Sequence, residues 1–126
     1  MKKVLIVDDQ ADLRSLVRIS LELLDPPVQT HEATEGESAL RLAKELSVDL
    51  VLLDVMMPGT LSGLDVCRHM RAMPELAHTR VVLLSARGQA TDVRAGIAAG
   101  AHAYIVKPFS PERLLETAEK LLATPA

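Results

Sequence analysis

The sequence predicts a single doubly wound α/β domain, and three observations carry that reading. Five short runs rich in β-branched residues or leucine alternate with five stretches of helical spacing along 126 residues. Three of those runs are continuously apolar, as in strands covered on both faces. The length suits one domain whose core needs no disulfide or metal staple. Alternating strands and helices then give a parallel sheet with helices on both sides.

In chain order, the first strand is placed at 4–7, followed by a helix marked by Leu13, Leu16, Val17 and Leu24. Asp25-Pro26-Pro27 breaks the chain there. The second strand is expected at 28–33, and Thr34 with Glu37 reads as a capping box for a helix carrying Ala39, Leu40, Ala43 and Leu46. A third strand at 50–53 precedes a helix with Val66, Met70 and Met73, and a fourth strand falls at 81–84. The helical stretch at about 89–99 is the weakest. It is apolar mainly at Val93 and Ile97, and its Gly96 costs about 1 kcal/mol relative to alanine. Gly100 reads as its left-handed cap. The fifth strand lies at 103–106. Ser110-Pro111-Glu112 then opens a last helix bearing Leu114, Leu115, Ala118, Leu121 and Leu122. The domain is read as 1–122, with 123–126 a frayed end or the start of a linker.

Composition narrows the function classes. A formal charge of −3 and a pI near 5.8 argue against a nucleic-acid surface built on bulk charge. Tyr104 and Phe109 are the aromatic residues, too few for base stacking. Cys67 has no partner for a disulfide, and no apolar run approaches a membrane span or the core of a signal peptide. A cytoplasmic location and no membrane contact are the expectations.

In a doubly wound sheet, ligands collect beyond the carboxyl ends of the strands. The residues just past those ends are Asp8 and Asp9, Asp54, Ser85, and Lys107 with Pro108. Three carboxylates and one ammonium leave a net −2 in a small volume, which calls for a cation. Oxygen donors with room for water suit Mg²⁺, whose charge balances the set and admits a phosphoryl group. Asp54, the single acid on a central strand end, is the nucleophile this arrangement predicts, forming an acyl phosphate. Asp8 and Asp9 would hold or orient the metal, while metal and lysine neutralise the transferring group.

These residues stand in four motifs: Val4-Leu5-Ile6-Val7-Asp8-Asp9, Leu52-Leu53-Asp54-Val55-Met56-Met57-Pro58-Gly59, Val82-Leu83-Leu84-Ser85-Ala86, and Gly100 through Phe109. In that order they resemble the receiver domain of bacterial response regulators over essentially the whole chain. The resemblance implies a flavodoxin-like (βα)5 domain with strand order 2-1-3-4-5. It implies that Asp54 accepts a phosphoryl group from a histidine kinase phosphohistidine, so that the domain is a phosphoacceptor assisting its own phosphorylation and dephosphorylation rather than an enzyme. Mg²⁺, with Mn²⁺ as an alternative, would be held by Asp9, Asp54 and the backbone carbonyl of Met56, and by Asp8 through water. Ser85 and Lys107 would each meet a phosphoryl oxygen, with Lys107-Pro108 cis. Ser85 and Tyr104 would relay the change to a face formed by the fourth helix, fifth strand and fifth helix. The implied partners are a sensor histidine kinase or phosphotransfer protein, and a downstream effector or covalently attached output domain. A phosphorylation-dependent homodimer is a further option, with no direct nucleic-acid binding by this domain.

One departure stands out. Gly63 follows Asp54 by nine residues, one more than is usual in the family, and the offsets of Ser85 and Lys107 are longer by the same step. An insertion within Thr60-Leu61-Ser62 accounts for all three.

Other readings compete. A pseudo-receiver would keep the fold as an interaction module without chemistry, against which the complete set of site residues speaks. A nucleotide-binding protein needs donors in its first loop, where Asp8-Asp9-Gln10 would repel phosphate. An aspartate-based phosphatase resembles Asp-x-Asp, and Met56 occupies the second position. Singly, Asp8 and Asp9 fit a helix-dipole role, Ser85 a turn hydroxyl, and Tyr104 packing on an edge strand. His31, His69, His78 and His102 show no ligand spacing, and Cys67 reads as a small buried residue.

Overall fold

The computed structural model describes residues 1–123. Five parallel strands, β1 (Lys2–Val7), β2 (Val28–Ala33), β3 (Leu50–Asp54), β4 (Arg80–Ser85) and β5 (Ala103–Val106), form one sheet in the order β2-β1-β3-β4-β5. Helices α1 (Ala11–Leu21), α2 (Gly36–Leu46), α3 (Gly63–Ala72), α4 (Ala90–Ala98) and α5 (Pro111–Ala123) connect and follow them. The helix α5 runs one residue beyond the expected domain end, and 124–126, where the rest of the expected frayed end falls, lie outside the described residues.

The period of two along each strand divides the core into two layers. Leu5, Val7, Val51, Leu53, Val81 and Leu83 pack on the side of α2 and α3, with Ala39, Val66 and Met70. Val4, Ile6, Leu50, Leu52, Val82 and Leu84 point the other way, onto Val17 and Leu21 of α1 and Leu114 and Ala118 of α5. This is why the central strands read as unbroken apolar runs: both faces are covered. At the edge of the sheet, β2 is mostly half-buried or exposed and carries polar residues accordingly.

Several local details differ from the sequence reading. Leu24 is buried but lies past α1, brought inward by turns in which Leu23 and Leu24 donate to the carbonyls of Ser20 and Leu21. Leu16 is exposed, as is Ile97 on α4, so neither belongs to the core. The capping box expected from Thr34 and Glu37 does not form. The helix α2 starts at Gly36 behind Glu35, without a side-chain cap, and Glu37 instead accepts the Thr60 hydroxyl at 2.6 Å. The sequence reading also missed one turn of 3-10 helix at Pro74–Leu76.

Other signals hold. Ser110 Oγ accepts the Arg113 N–H at 3.2 Å, and Gly100 adopts φ of 102°. Beyond α4, the Gly100 N–H reaches the Ile97 carbonyl and the Ala101 N–H reaches that of Gly96, the paired bonds of a Schellman cap.

Candidate functional site

The carboxyl ends of β1, β3, β4 and β5 bring the predicted residues to one rim. One carboxylate oxygen each from Asp8, Asp9 and Asp54 lies within 4.8 Å of the others. Lys107 Nζ donates to Asp8 Oδ2 at 3.1 Å and to Asp54 Oδ1 at 3.2 Å. Its neighbour Pro108 follows a cis peptide bond.

Each carboxylate has a different set of partners. Asp8 is buried and fully engaged. Its N–H bonds to Ala33, Oδ1 accepts from the Gln10 N–H at 2.8 Å, Oδ2 takes Lys107, and its carbonyl takes Arg14 Nη1 at 2.8 Å. Asp9 is exposed and its carboxylate has no hydrogen-bond or ion-pair partner among the described residues. Asp54 is buried, and its Oδ1 accepts from both Lys107 and the Met56 N–H at 3.3 Å. Its Oδ2 has no protein partner, although no buried side-chain oxygen among the described residues goes unsatisfied, so this oxygen opens toward solvent. Burial and then the charge of Asp8 push the Asp54 carboxyl above its ordinary value, with Lys107 pulling the other way.

The position of Asp54 is fixed from below. A Cβ on Gly63, the first residue of α3, would collide with the Asp54 carbonyl oxygen, while the Gly63 N–H bonds to Val55 O at 2.9 Å. The β3–α3 connection thus returns to a close approach beneath Asp54. Its Leu61 packs against Gly36, Thr60 bonds to Glu37, and Ser62 and Asp65 form a capping box for α3.

Ser85 is buried, and its Oγ accepts the Arg87 N–H at 3.0 Å instead of meeting a carboxylate. Tyr104 is half-buried, with its hydroxyl donated to the Arg87 carbonyl at 2.7 Å. A Cβ on Gly96 would stand 2.7 Å from the Tyr104 ring, so the glycine in α4 is a notch that seats this ring. Met56 joins the rim through its backbone, its side chain being exposed.

Cys67 stays outside the site: burial pushes its thiol up to about 11, where it is inert. Arg14 and its partner Glu32 went unnoticed in the sequence, because Arg14 bonds to a main-chain carbonyl that no motif records. A guanidinium on the first turn of the helix after an Asp-Asp pair is the signal that was there to follow.

A family model for the response regulator receiver domain matches residues 4–119. The transcriptional regulatory protein ResD of Bacillus subtilis (strain 168) is 41% identical over 120 residues, which cover 95% of this chain and 48% of that protein. Among solved structures, the chemotaxis protein CheY4 of Vibrio cholerae matches with a TM-score of 0.86 at 31% identity, over 96% of this chain and 98% of that one. A BeF3-activated DrrB receiver domain matches with a TM-score of 0.86 at 32% identity, over 98% and 99% respectively. The chain spans about half the length of the curated relatives it matches.

Proposed function

The chain belongs to the response regulator receiver family of two-component signalling, and from that premise we propose that Asp54 is its phosphoacceptor. The observation that carries the reading is the division of labour between the two oxygens of Asp54. Oδ1 is held by Lys107 and Met56, while Oδ2 is open. In the transfer, Oδ2 forms a bond to phosphorus as the phosphorus–nitrogen bond of a phosphohistidine breaks. The histidine nitrogen keeps the electron pair and takes a proton. Lys107 then pairs with one phosphoryl oxygen and Ser85 bonds another.

The donor set fits Mg²⁺, or Mn²⁺, at this rim: three carboxylates within reach of one another, all oxygen. The partnerless carboxylate of Asp9, the Asp54 carboxylate and the Met56 carbonyl would hold it. Asp8, whose oxygens are already engaged, would act through water. When bound, the ion supplies positive charge against the carboxylates and the incoming phosphoryl group.

The relay rests on Arg87. Turning Ser85 toward the phosphoryl group gives up its bond to the Arg87 N–H, loosening the residue whose carbonyl holds Tyr104. Tyr104 can then move, changing the face of α4, β5 and α5, where Ile97 and Val106 are exposed. That face would receive a downstream effector, an attached output domain or a second copy of the chain. The phosphoryl donor would be a sensor histidine kinase or a phosphotransfer protein. Where the effector is an output domain, one option raised by the resemblance to a transcriptional regulatory protein, any contact with nucleic acid would fall to that domain. No helix among the described residues is long and apolar enough to cross a membrane; a cytoplasmic site of action is proposed from the family's two-component signalling role.

Intact mass after incubation with Mg²⁺ and acetyl phosphate tests the chemistry. One phosphoryl adduct, absent after EDTA treatment and absent from Asp54→Asn, is the expected result. An adduct on the Asn variant would remove Asp54 from the role.

A further inference from the structure

One cation lies against the acidic cluster without belonging to it. Because β1 ends at Val7, the Asp8 carbonyl has left the sheet and needs a donor from elsewhere. Arg14 Nη1 supplies it at 2.8 Å, while Arg14 Nε donates to Glu32 Oε1 at 2.8 Å. Glu32 stands on β2 opposite Ile6. The Arg14 side chain is only 17% exposed, and a planar guanidinium held at two nitrogens has little freedom left. The peptide unit whose oxygen it holds is the one joining Asp8 to Asp9. Since the Asp9 carboxylate has no partner of its own, the main chain is what fixes where its Cα–Cβ bond starts and points.

We infer that Arg14 is a positioning residue for the metal-binding carboxylates, with Glu32 holding Arg14 in place, so that this pair sets the affinity of the cluster for Mg²⁺. The inference rests on the reading that the cluster binds Mg²⁺. It deepens that reading by assigning residues outside the ligand set. Charge is a poor alternative explanation. Arg14 and Arg18 face Glu32, and Arg18 also faces Glu22 at 3.8 Å, so two cations stand with two anions. The group has no net charge to lend, and what it gives the cluster is geometry.

Calorimetric titration of the full chain with Mg²⁺ tests this, alongside thermal melting in metal-free buffer. Arg14→Met is expected to weaken Mg²⁺ binding about tenfold, the scale seen when a partner of a metal ligand is removed. Arg14→Lys keeps the charge but cannot span both partners, and is expected to lose as much. Glu32→Gln still offers an oxygen to Arg14 Nε and should retain the affinity, whereas Glu32→Ala should weaken it. The Glu32 pair decides the matter if the Arg14 variants fail to fold. Unchanged affinity in Arg14→Met or Glu32→Ala, or full affinity in Arg14→Lys, would overturn the positioning role and leave the site reading standing. An unaltered chain that binds no Mg²⁺ would bring down both.

Discussion

Ser85 and Tyr104 are bonded to the two ends of one residue. Ser85 Oγ accepts the N–H of Arg87 at 3.0 Å, and the Tyr104 hydroxyl donates to the carbonyl of the same residue at 2.7 Å. Neither side chain needs to touch the other for a change at one to be felt at the other. Ser85→Ala is expected to speed amide exchange at Arg87 and to loosen Tyr104. Tyr104→Phe keeps the ring and loses one exposed hydrogen bond, worth about 1 kcal/mol or less. It should phosphorylate at the normal rate while weakening effector binding. Unchanged exchange at Arg87 in the serine variant would break this route.

Gly96→Ala sets two effects against each other. Alanine favours a helix over glycine by about 1 kcal/mol, yet the new methyl would lie 2.7 Å from the Tyr104 ring and 3.0 Å from Leu83. Overpacking a tight contact costs about 1–3 kcal/mol, so a lower melting temperature is expected. Tyr104 is the single tyrosine in a chain without tryptophan, and its fluorescence should report the displaced ring. A stabilised variant with unaltered fluorescence would show that the notch is not needed.

Lys107→Ala removes the larger of the two influences that hold down the Asp54 carboxyl, leaving the Met56 N–H. With burial and Asp8 opposed by that bond alone, its pKa should rise further above the ordinary value, as followed by carboxyl carbon resonances during titration. Mg²⁺ binding should survive, since the proposed ligands are intact, while propagation to the partner face fails. Normal signalling by this variant would take Lys107 out of the mechanism.

Acid sensitivity should trace in part to His102. Its Nδ1 accepts the Val81 N–H at 3.0 Å, which requires an unprotonated nitrogen. Burial, followed by Arg71 and Arg80, lowers its pKa below 6.5. The unfolded chain therefore takes up this proton first as pH falls. The stability contribution is complete above 6.5 and is lost as pH drops through that value toward the folded one. His102→Asn, which offers an oxygen to Val81 without titrating, should show a shallower decline in denaturant midpoint over that range. Equal declines would assign the effect to other groups.

The sequence made the strand-end residues legible because position alone announces them. Once runs of apolar residues alternate with helices, Asp8, Asp9, Asp54 and Lys107 must lie at one rim, and they do. What escaped depends on contacts between segments distant in the chain. Gly96 read as a weakness of its helix because the ring it admits comes from β5. Glu37 read as a cap because its partner Thr60 is 23 residues away. Leu16 and Ile97 fit helical spacing and yet face outward, since spacing marks a stripe without saying whether anything covers it. Arg14 answers a carbonyl, and main-chain acceptors leave no trace in a list of residue types.

The unequal oxygens of Asp54 also bear on how long a phosphoryl group would stay. An acyl phosphate formed at Oδ2 would leave Oδ1 as the carbonyl of a mixed anhydride, facing the Met56 N–H and within reach of Lys107. Any donor that remains on Oδ1 stabilises the carboxylate that departs when the phosphorus–oxygen bond breaks, and so makes Asp54 a better leaving group. A Lys107 drawn away to the phosphoryl oxygens gives up part of that assistance. If Asp54 is the phosphoacceptor as proposed, the division of this one ammonium between two acceptors would act as a timer, with the lifetime of the signal set by where its protons point.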